Sequence, residues 1–355
     1  MIARFRVLLP FVVHLPKGEA LAAHEFSIAD CTCRVNPPFQ SALTASDKDP
    51  DSSLPLQTMI DRLEPAEPQT CPVKLDDAES VSADVFAVDF FKADFVRTPG
   101  SDDPPTEAAF AILNAFLVRL RLLGRAGSIR PLDHKTSCWR IDFLSDEGAR
   151  LPRTPPLVRR RVTAALAFRA NGLKRELWDA IWMLPPDYQP STSDVLLIDA
   201  HEALPQDVGS AVVLAAAAME ERIATALEIL ADGKVDPVLW EWMNDRGGHT
   251  QGPSTVERAD VLLRSFGGRS LREEPQLFHA FKSLLDARDT FVRGGPARLS
   301  TGPLTSAKAA ELVNAAGRII DWIETLLPSS ARRRTSYSPT TFEYKKPFTI
   351  PPPPA

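Results

Sequence analysis

Two kinds of hydrophobic pattern divide the chain. Through the first 190 residues, short apolar runs alternate with polar stretches. Phe5–Val13, Asp84–Phe91, Trp139–Leu144 and Val162–Arg169 are each of strand length and rich in Val, Phe, Ile or Ala. Between them, Glu107–Leu123 carries Phe110, Leu113, Phe116, Leu117 and Leu120 at steps of three and four, which predicts a helix laying one stripe on a sheet. The stretches Pro37–Gln69 and Arg97–Glu107 are rich in Ser, Asp and Pro and poor in core residues, so they read as long mobile loops. No repeat of 20–50 residues is visible.

From Asp207 the period becomes helical. Val208, Val212, Ala215, Met219, Ile223, Ala226 and Leu230 mark a long amphipathic helix ending at Asp232-Gly233. A second opens with a capping-box pairing, Ser254 and Glu257, and buries Val256, Ala259, Leu263 and Phe266 before Gly267-Gly268. The third, about 274–292, turns Leu277, Phe281, Leu284, Leu285 and Phe291 inward and stops at Gly294-Gly295-Pro296. In the fourth, about 306–327, Ala309, Leu312, Val313, Ala316, Ile319, Ile320 and Ile323 face the core, and Pro328 closes it. The predicted class is therefore α+β: an N-terminal mixed domain over 1–190 of unknown activity, then an all-α antiparallel four-helix bundle over 191–328.

Length and charge sharpen this division. At 355 residues the chain can bury two cores. A net charge of −5 argues against nucleic-acid binding by the surface as a whole. The helical part holds 13 cations against 20 acids, whereas 329–355 holds five cations, Arg332-Arg333-Arg334 and Lys345-Lys346, against Glu343 alone. That last segment, with four consecutive prolines, is expected to be a disordered basic tail. The apolar run Phe5–Val13 is broken by Pro10 and followed by His14, Pro16 and Lys17, too short for an anchor or a secretion signal. A cytoplasmic location, reduced thiols and no membrane contact are the corresponding expectations.

Chemistry-bearing residues are sparse. Cys31-Thr32-Cys33 with Cys71, Cys138, His24 and His134 lacks the spacing of a zinc knuckle, so no metal is expected. The glycine pairs 247–248, 267–268 and 294–295 have neither a Walker ending nor a dinucleotide-binding context and read as helix terminators. No cofactor is expected. Glu220 and Glu221 are adjacent acids whose directions diverge by about 100° on a helix, leaving at least one solvated. Arg159-Arg160-Arg161 and Arg332-Arg333-Arg334 are dense basic patches whose default is surface charge.

One motif stands apart. The third helix ends in Arg288-Asp289-Thr290-Phe291-Val292-Arg293-Gly294. This resembles the HEPN (higher eukaryote and prokaryote nucleotide-binding) superfamily, whose motif at this place reads Arg, a polar residue, two variable residues, commonly Val, then His and often Gly. Leu196-Leu197-Ile198-Asp199-Ala200 ahead of Ala211-Val212-Val213, then Ala217-Ala218-Met219-Glu220, also resembles bacterial two-domain members with a C-terminal HEPN bundle. The resemblance covers about 191–328. It implies a metal-independent endoribonuclease in which the Arg binds the scissile phosphate and the His assists the ribose 2′-hydroxyl, both paired across a homodimer. Carried onto this chain, Arg288 and Arg293 would hold RNA phosphate, and Asp289 would orient Arg288 as its catalytic-site companion.

The departure from the motif has a chemical meaning. Where the family has His, this chain has Arg293, and a guanidinium protonated to about pH 12 cannot accept a proton near neutrality. His279 lies nine residues before Arg288, about 13 Å along the helix and close to half a turn round, so it cannot join the site within one chain. His201 and His249 are remote in sequence. The leading expectation is a bacterial defence or toxin-type protein binding RNA or a protein partner such as an antitoxin through a degenerate ribonuclease site. The alternatives are an active endoribonuclease with a base from elsewhere and a non-enzymatic dimeric scaffold.

Overall fold

A computed structural model of the chain describes residues 2–28, 31–43, 55–67, 70–75, 78–91, 106–127, 129–151, 172–244, 252–299 and 302–333. The chain divides into two compact units, Met1–Pro190 and Ser191–Ala355. Antiparallel sheet and helices together make it an α+β protein.

The first unit is built on a sheet of β1 (Ile2–Pro16), β2 (His24–Ile28), β3 (Cys31–Phe39), β4 (Thr70–Leu75), β5 (Ala78–Phe91) and β6 (Trp139–Leu144). The strand order is β2-β3-β5-β1-β6, with β4 also pairing with β5. Its register sets two neighbouring rows side by side. Phe26, Cys33, Phe90, Ala3 and Phe143 are successive cross-strand partners. One residue away, so are Glu25, Arg34, Asp89, Arg4 and Asp142. Because successive side chains in a strand point to opposite faces, the first row is apolar on one face and the second alternates negative and positive across five strands on the other. Cross-strand pairs of opposite charge favour this register, and a one-residue slip would exchange the rows.

The apolar face is covered by α2 (Thr106–Leu123) and α3 (Arg175–Met183). All five predicted stripe residues of α2 are buried, and Phe116 stacks on Phe86 at 4.8 Å between ring centres. The α3 residues Trp178, Ile181 and Trp182 complete the layer, with Trp182 edge-on to Phe26 at 5.0 Å. Arg119 of α2, only 1% exposed, donates to the carbonyls of Ile181 at 3.0 Å and Pro185 at 2.6 Å and lies 4.8 Å over the Phe26 ring. It thereby caps the carboxyl end of α3, where cations are favoured, while burial lowers its pKa.

On the other face, α1 (Leu56–Asp61) and Leu63 shield a small core of Leu8, Val85 and Cys138. This helix falls inside the stretch expected to be loop. Leu56, Met59, Ile60 and Leu63 stand at helical spacing among Ser, Asp and Pro, and composition masked the period. Likewise Pro37 and Pro38 lie within β3, at an irregularity in its pairing with β5 between Asn36 and Phe39, where a missing ladder donor is tolerated. The expected strand Val162–Arg169, residues 97–105 of the second loop, and Arg159–Arg161 lie outside the described residues.

The second unit contains α4 (Thr192–Ala203), α5 (Val208–Ala231), α6 (Pro237–Asn244), α7 (Thr255–Glu257), a π turn (Arg258–Leu262), α8 (Leu263–Gly267), α9 (Pro275–Val292) and α10 (Ser306–Leu326), with a two-residue hairpin of β7 (Arg298–Leu299) and β8 (Gly302–Pro303). The four expected helices correspond to α5, the α7–α8 stretch, α9 and α10; α4 and α6 are additional elements. Helix α5 is central, packing on α4, α8, α9 and α10, and its buried alanines 211, 215, 216, 218 and 226 allow close approach on several sides. Ser254 and Glu257 form the predicted capping box. No described helix is long and apolar enough to cross a membrane.

The first residues of the segment expected to be a disordered tail are instead structured. Ser329–Ala331 forms a 3-10 turn, and Arg333, its side chain 5% exposed, is held by carboxylates. Residues 334–355 lie outside the described part.

Candidate functional site

Helix α9 starts cleanly. A capping box of Ser270 and Glu273 closes the 3-10 turn before it, and Pro275 occupies its first turn. Phe281, Leu284 and Leu285 form its buried face. Arg288 stands seven residues beyond Phe281 and four beyond Leu284, so it continues that same face instead of projecting into solvent. Its side chain is 24% exposed, and Nη1 donates to Glu220 Oε2 of α5 at 2.9 Å. The other oxygen of Glu220 accepts from Thr255 Oγ1 at 2.7 Å. Thr255, Glu220 and Arg288 thus tie α7, α5 and α9 together. Arg288 Nε also lies 2.6 Å from Asp289 Oδ1, although the angle is not that of a hydrogen bond.

Arg293 is placed differently. It is the exposed cap residue at the end of α9, and among the described residues its guanidinium has no ion pair. The intervening Phe291 turns inward: a methyl group built on Gly209, at the start of α5, would come within 2.1 Å of its ring. The structure therefore joins Arg288 to Asp289 and to Glu220, and leaves Arg293 in solvent at the negative end of the helix dipole. One arginine, Arg288, faces the two carboxylates of Glu220 and Asp289, so its charge is more than matched, while Arg293 stands apart.

Glu221 takes a separate course, accepting from Thr225 Oγ1 one turn along at 3.1 Å, as expected for neighbours diverging on a helix. Glu220 and Thr255 are the members of the site that the motif does not name. Their partners are 68 and 35 residues apart in sequence, and helix periodicity carries no information about which polar groups meet between helices.

The remaining candidates disperse. His279 Nδ1 lies 3.3 Å from Ser283 Oγ on its own helix, His201 is in the last turn of α4, and His249 lies outside the described residues. In the first unit, His24 Nε2 is 2.9 Å from Asp179 Oδ1, His134 rests edge-on to Phe110, and Cys33 donates to the Phe26 carbonyl. Cys138 is fully buried, and burial pushes its thiol up to about 12. The side chains of Cys31 and Cys71 lie outside the described part. Among the described residues no three His, Cys, Asp or Glu side chains are grouped for a metal ion.

A denser ionic cluster lies on the charged face of the sheet. Glu64 bridges Arg6, at 2.5 Å, and Arg140. Arg140 also forks onto Asp142 at 3.0 and 2.8 Å and donates to the carbonyls of Ile60 and Asp61 at the end of α1. Desolvation opposes ionisation of Glu64, but the charges and hydrogen bonds of Arg6 and Arg140 outweigh it and hold the carboxyl below its ordinary value. Through Arg6 and Arg140 the cluster holds the Ile60, Asp61 and Leu63 carbonyls against the sheet, which gives it an architectural role.

The chain matches no family model, no curated protein and no solved structure.

Proposed function

We propose that the second unit is a HEPN-like four-helix bundle that has kept the motif arginine but lost cleavage chemistry, and that it serves as an interaction module of a bacterial defence or toxin-type protein. The observation carrying this reading is the engagement of Arg288: its guanidinium already neutralises Glu220 and touches Asp289, while the position of the family's proton acceptor is held by Arg293. A phosphate would have to displace carboxylates from Arg288 at the carboxyl end of a helix, where anions are disfavoured. A single arginine set between two carboxylates leaves no surplus of positive charge at this centre, which favours a protein partner over RNA.

The test uses purified full-length protein and a labelled single-stranded RNA in EDTA. The expected result is no 2′,3′-cyclic phosphate product, and RNA affinity at low salt equal to that of the Arg288→Ala/Arg293→Ala variant. Cleavage abolished by Arg288→Ala would establish a working ribonuclease instead. Tight, salt-sensitive binding lost in the double variant would establish the RNA-binding form of the degenerate site.

A further inference from the structure

A second arginine in the helical unit is held more completely than Arg288. Arg333 follows α10, and its guanidinium meets three carboxylates: Nη1 donates to Asp194 at 2.5 Å and Nη2 to Asp321 at 2.5 Å, while Nε lies 3.0 Å from Glu324 without the angle of a hydrogen bond. Its backbone N–H donates to the other oxygen of Glu324 at 2.8 Å. Just before it, Arg332 Nε donates to the Leu327 carbonyl at 2.9 Å, capping α10.

The placement of the three acids explains why they need a cation. Asp194 sits in the first turn of α4 and accepts from Ser191, a favourable end for negative charge. Asp321 and Glu324 sit near the end of α10, which has no basic residue in its last turn, so the helix dipole disfavours both. Arg222 of α5 reaches Glu324 at 2.7 Å, leaving two arginines among three largely buried carboxylates. Removal of Arg333 leaves the mostly buried Glu324 and the one-third-exposed Asp321 at the disfavoured end of the α10 dipole, with Arg222 alone reaching Glu324.

We propose that the joined ends of α4 and α10 form a guanidinium socket whose occupant is the chain's own Arg333, and that this contact is a latch holding the first helix of the unit against the last. Two carboxylates accept from the two ends of the guanidinium and a third carboxylate stands beside its Nε, an arrangement that suits a planar fork. An ammonium group, a point donor on a flexible stem, cannot meet all three acids in the same way. The latch is independent of the Arg288 site, which involves none of these residues.

Hydrogen exchange on the full-length protein tests it. In Arg333→Ala, amides of 192–203 are expected to exchange about tenfold faster or more, while those of the α5 core and α9 change less than about twofold. Adding guanidinium chloride at about 20 mM, far below denaturing levels, should restore protection to α4 where sodium chloride at the same concentration does not. Unchanged exchange in α4, loss spread evenly over the unit, or no guanidinium-specific recovery each overturns the proposal. If Arg333→Ala does not fold, Arg333→Lys reads the same amides with the charge kept: faster exchange confined to α4 supports the latch, and wild-type exchange refutes it.

Discussion

The alternating row of charges across the sheet makes a prediction that a simple ion pair does not. Asp89 is 1% exposed and takes a two-pronged hydrogen bond from Arg4, at 2.6 and 2.8 Å. Its neighbour on the other side is Arg34, and Arg4 in turn neighbours Asp142. Asp89→Asn keeps the volume but removes the charge and one acceptor. Breaking a buried pair costs about 3–5 kcal/mol, but Arg4 is 31% exposed and regains some water, so about 2–3 kcal/mol is expected, a fall of about 5–10 °C in the midpoint for a unit of this size. The exchange Arg4→Asp with Asp89→Arg is the sharper test. If the two residues formed an isolated pair, swapping them would restore stability. In the row, the arginine placed at 89 opposes Arg34 and the aspartate placed at 4 opposes Asp142, so the swapped protein should stay at least about 1 kcal/mol below wild type. The assay is urea unfolding, which leaves ionic strength constant, with amide exchange across β1 and β5 as the local readout. Recovery by the swap to within about 0.5 kcal/mol of wild type would refute the reasoning.

Three further outcomes follow from other parts of the molecule. Glu64 is held below its ordinary value of 4.5, so its contribution is present above that pH and disappears as pH falls through the lowered value. With the carboxylate 42% exposed, the effect is about 1 kcal/mol or less, and the gap in urea midpoint between wild type and Glu64→Gln should narrow as pH falls below 4.5, a gap that does not narrow counting against it. Cys33 and Cys138 are both fully buried, so at pH 8 a disulfide-exchange reagent should label neither until the chain is unfolded; peptide mapping that finds Cys138 modified in the native protein contradicts the packing described. Gly209→Ala drives a methyl group into the Phe291 ring and should cost about 1–3 kcal/mol, whereas adding Phe291→Leu should recover part of the loss in a double-mutant cycle.

Helical periodicity was the most legible part of this chain. The stripes of α2, α5, α9 and α10 are buried almost residue for residue as their spacing requires. Strand β6 also agrees in extent with its apolar run. The early half of β5 was hidden because Ala78-Glu79-Ser80-Val81-Ser82 is mostly small and polar, and pairing to β1 and β4, not propensity, makes it a strand. Helices α4 and α6 are opened by local caps, Ser191 accepting from the Asp194 N–H and Asp236 from the Val238 N–H, signals too short to stand out beside the long stripes. At the candidate site, the inward direction of Arg288 could be read by extending the stripe of Phe281 and Leu284, but its carboxylate partner could not. The ion pairs of Arg333 were equally hidden, since a run of three arginines beside prolines has the composition of a solvated tail.

The two adjoining rows of the sheet also bear on how this chain can change length. A codon lost or gained within β1 would move Arg4 or Arg6 toward the layer of aromatic rings and bring Phe5 into the row of carboxylates, a fault that no single compensating substitution repairs. Variation in length among descendants of this sequence should therefore gather in the connections and spare the stretch from Ile2 to Leu8, whose spacing is inherited as a block.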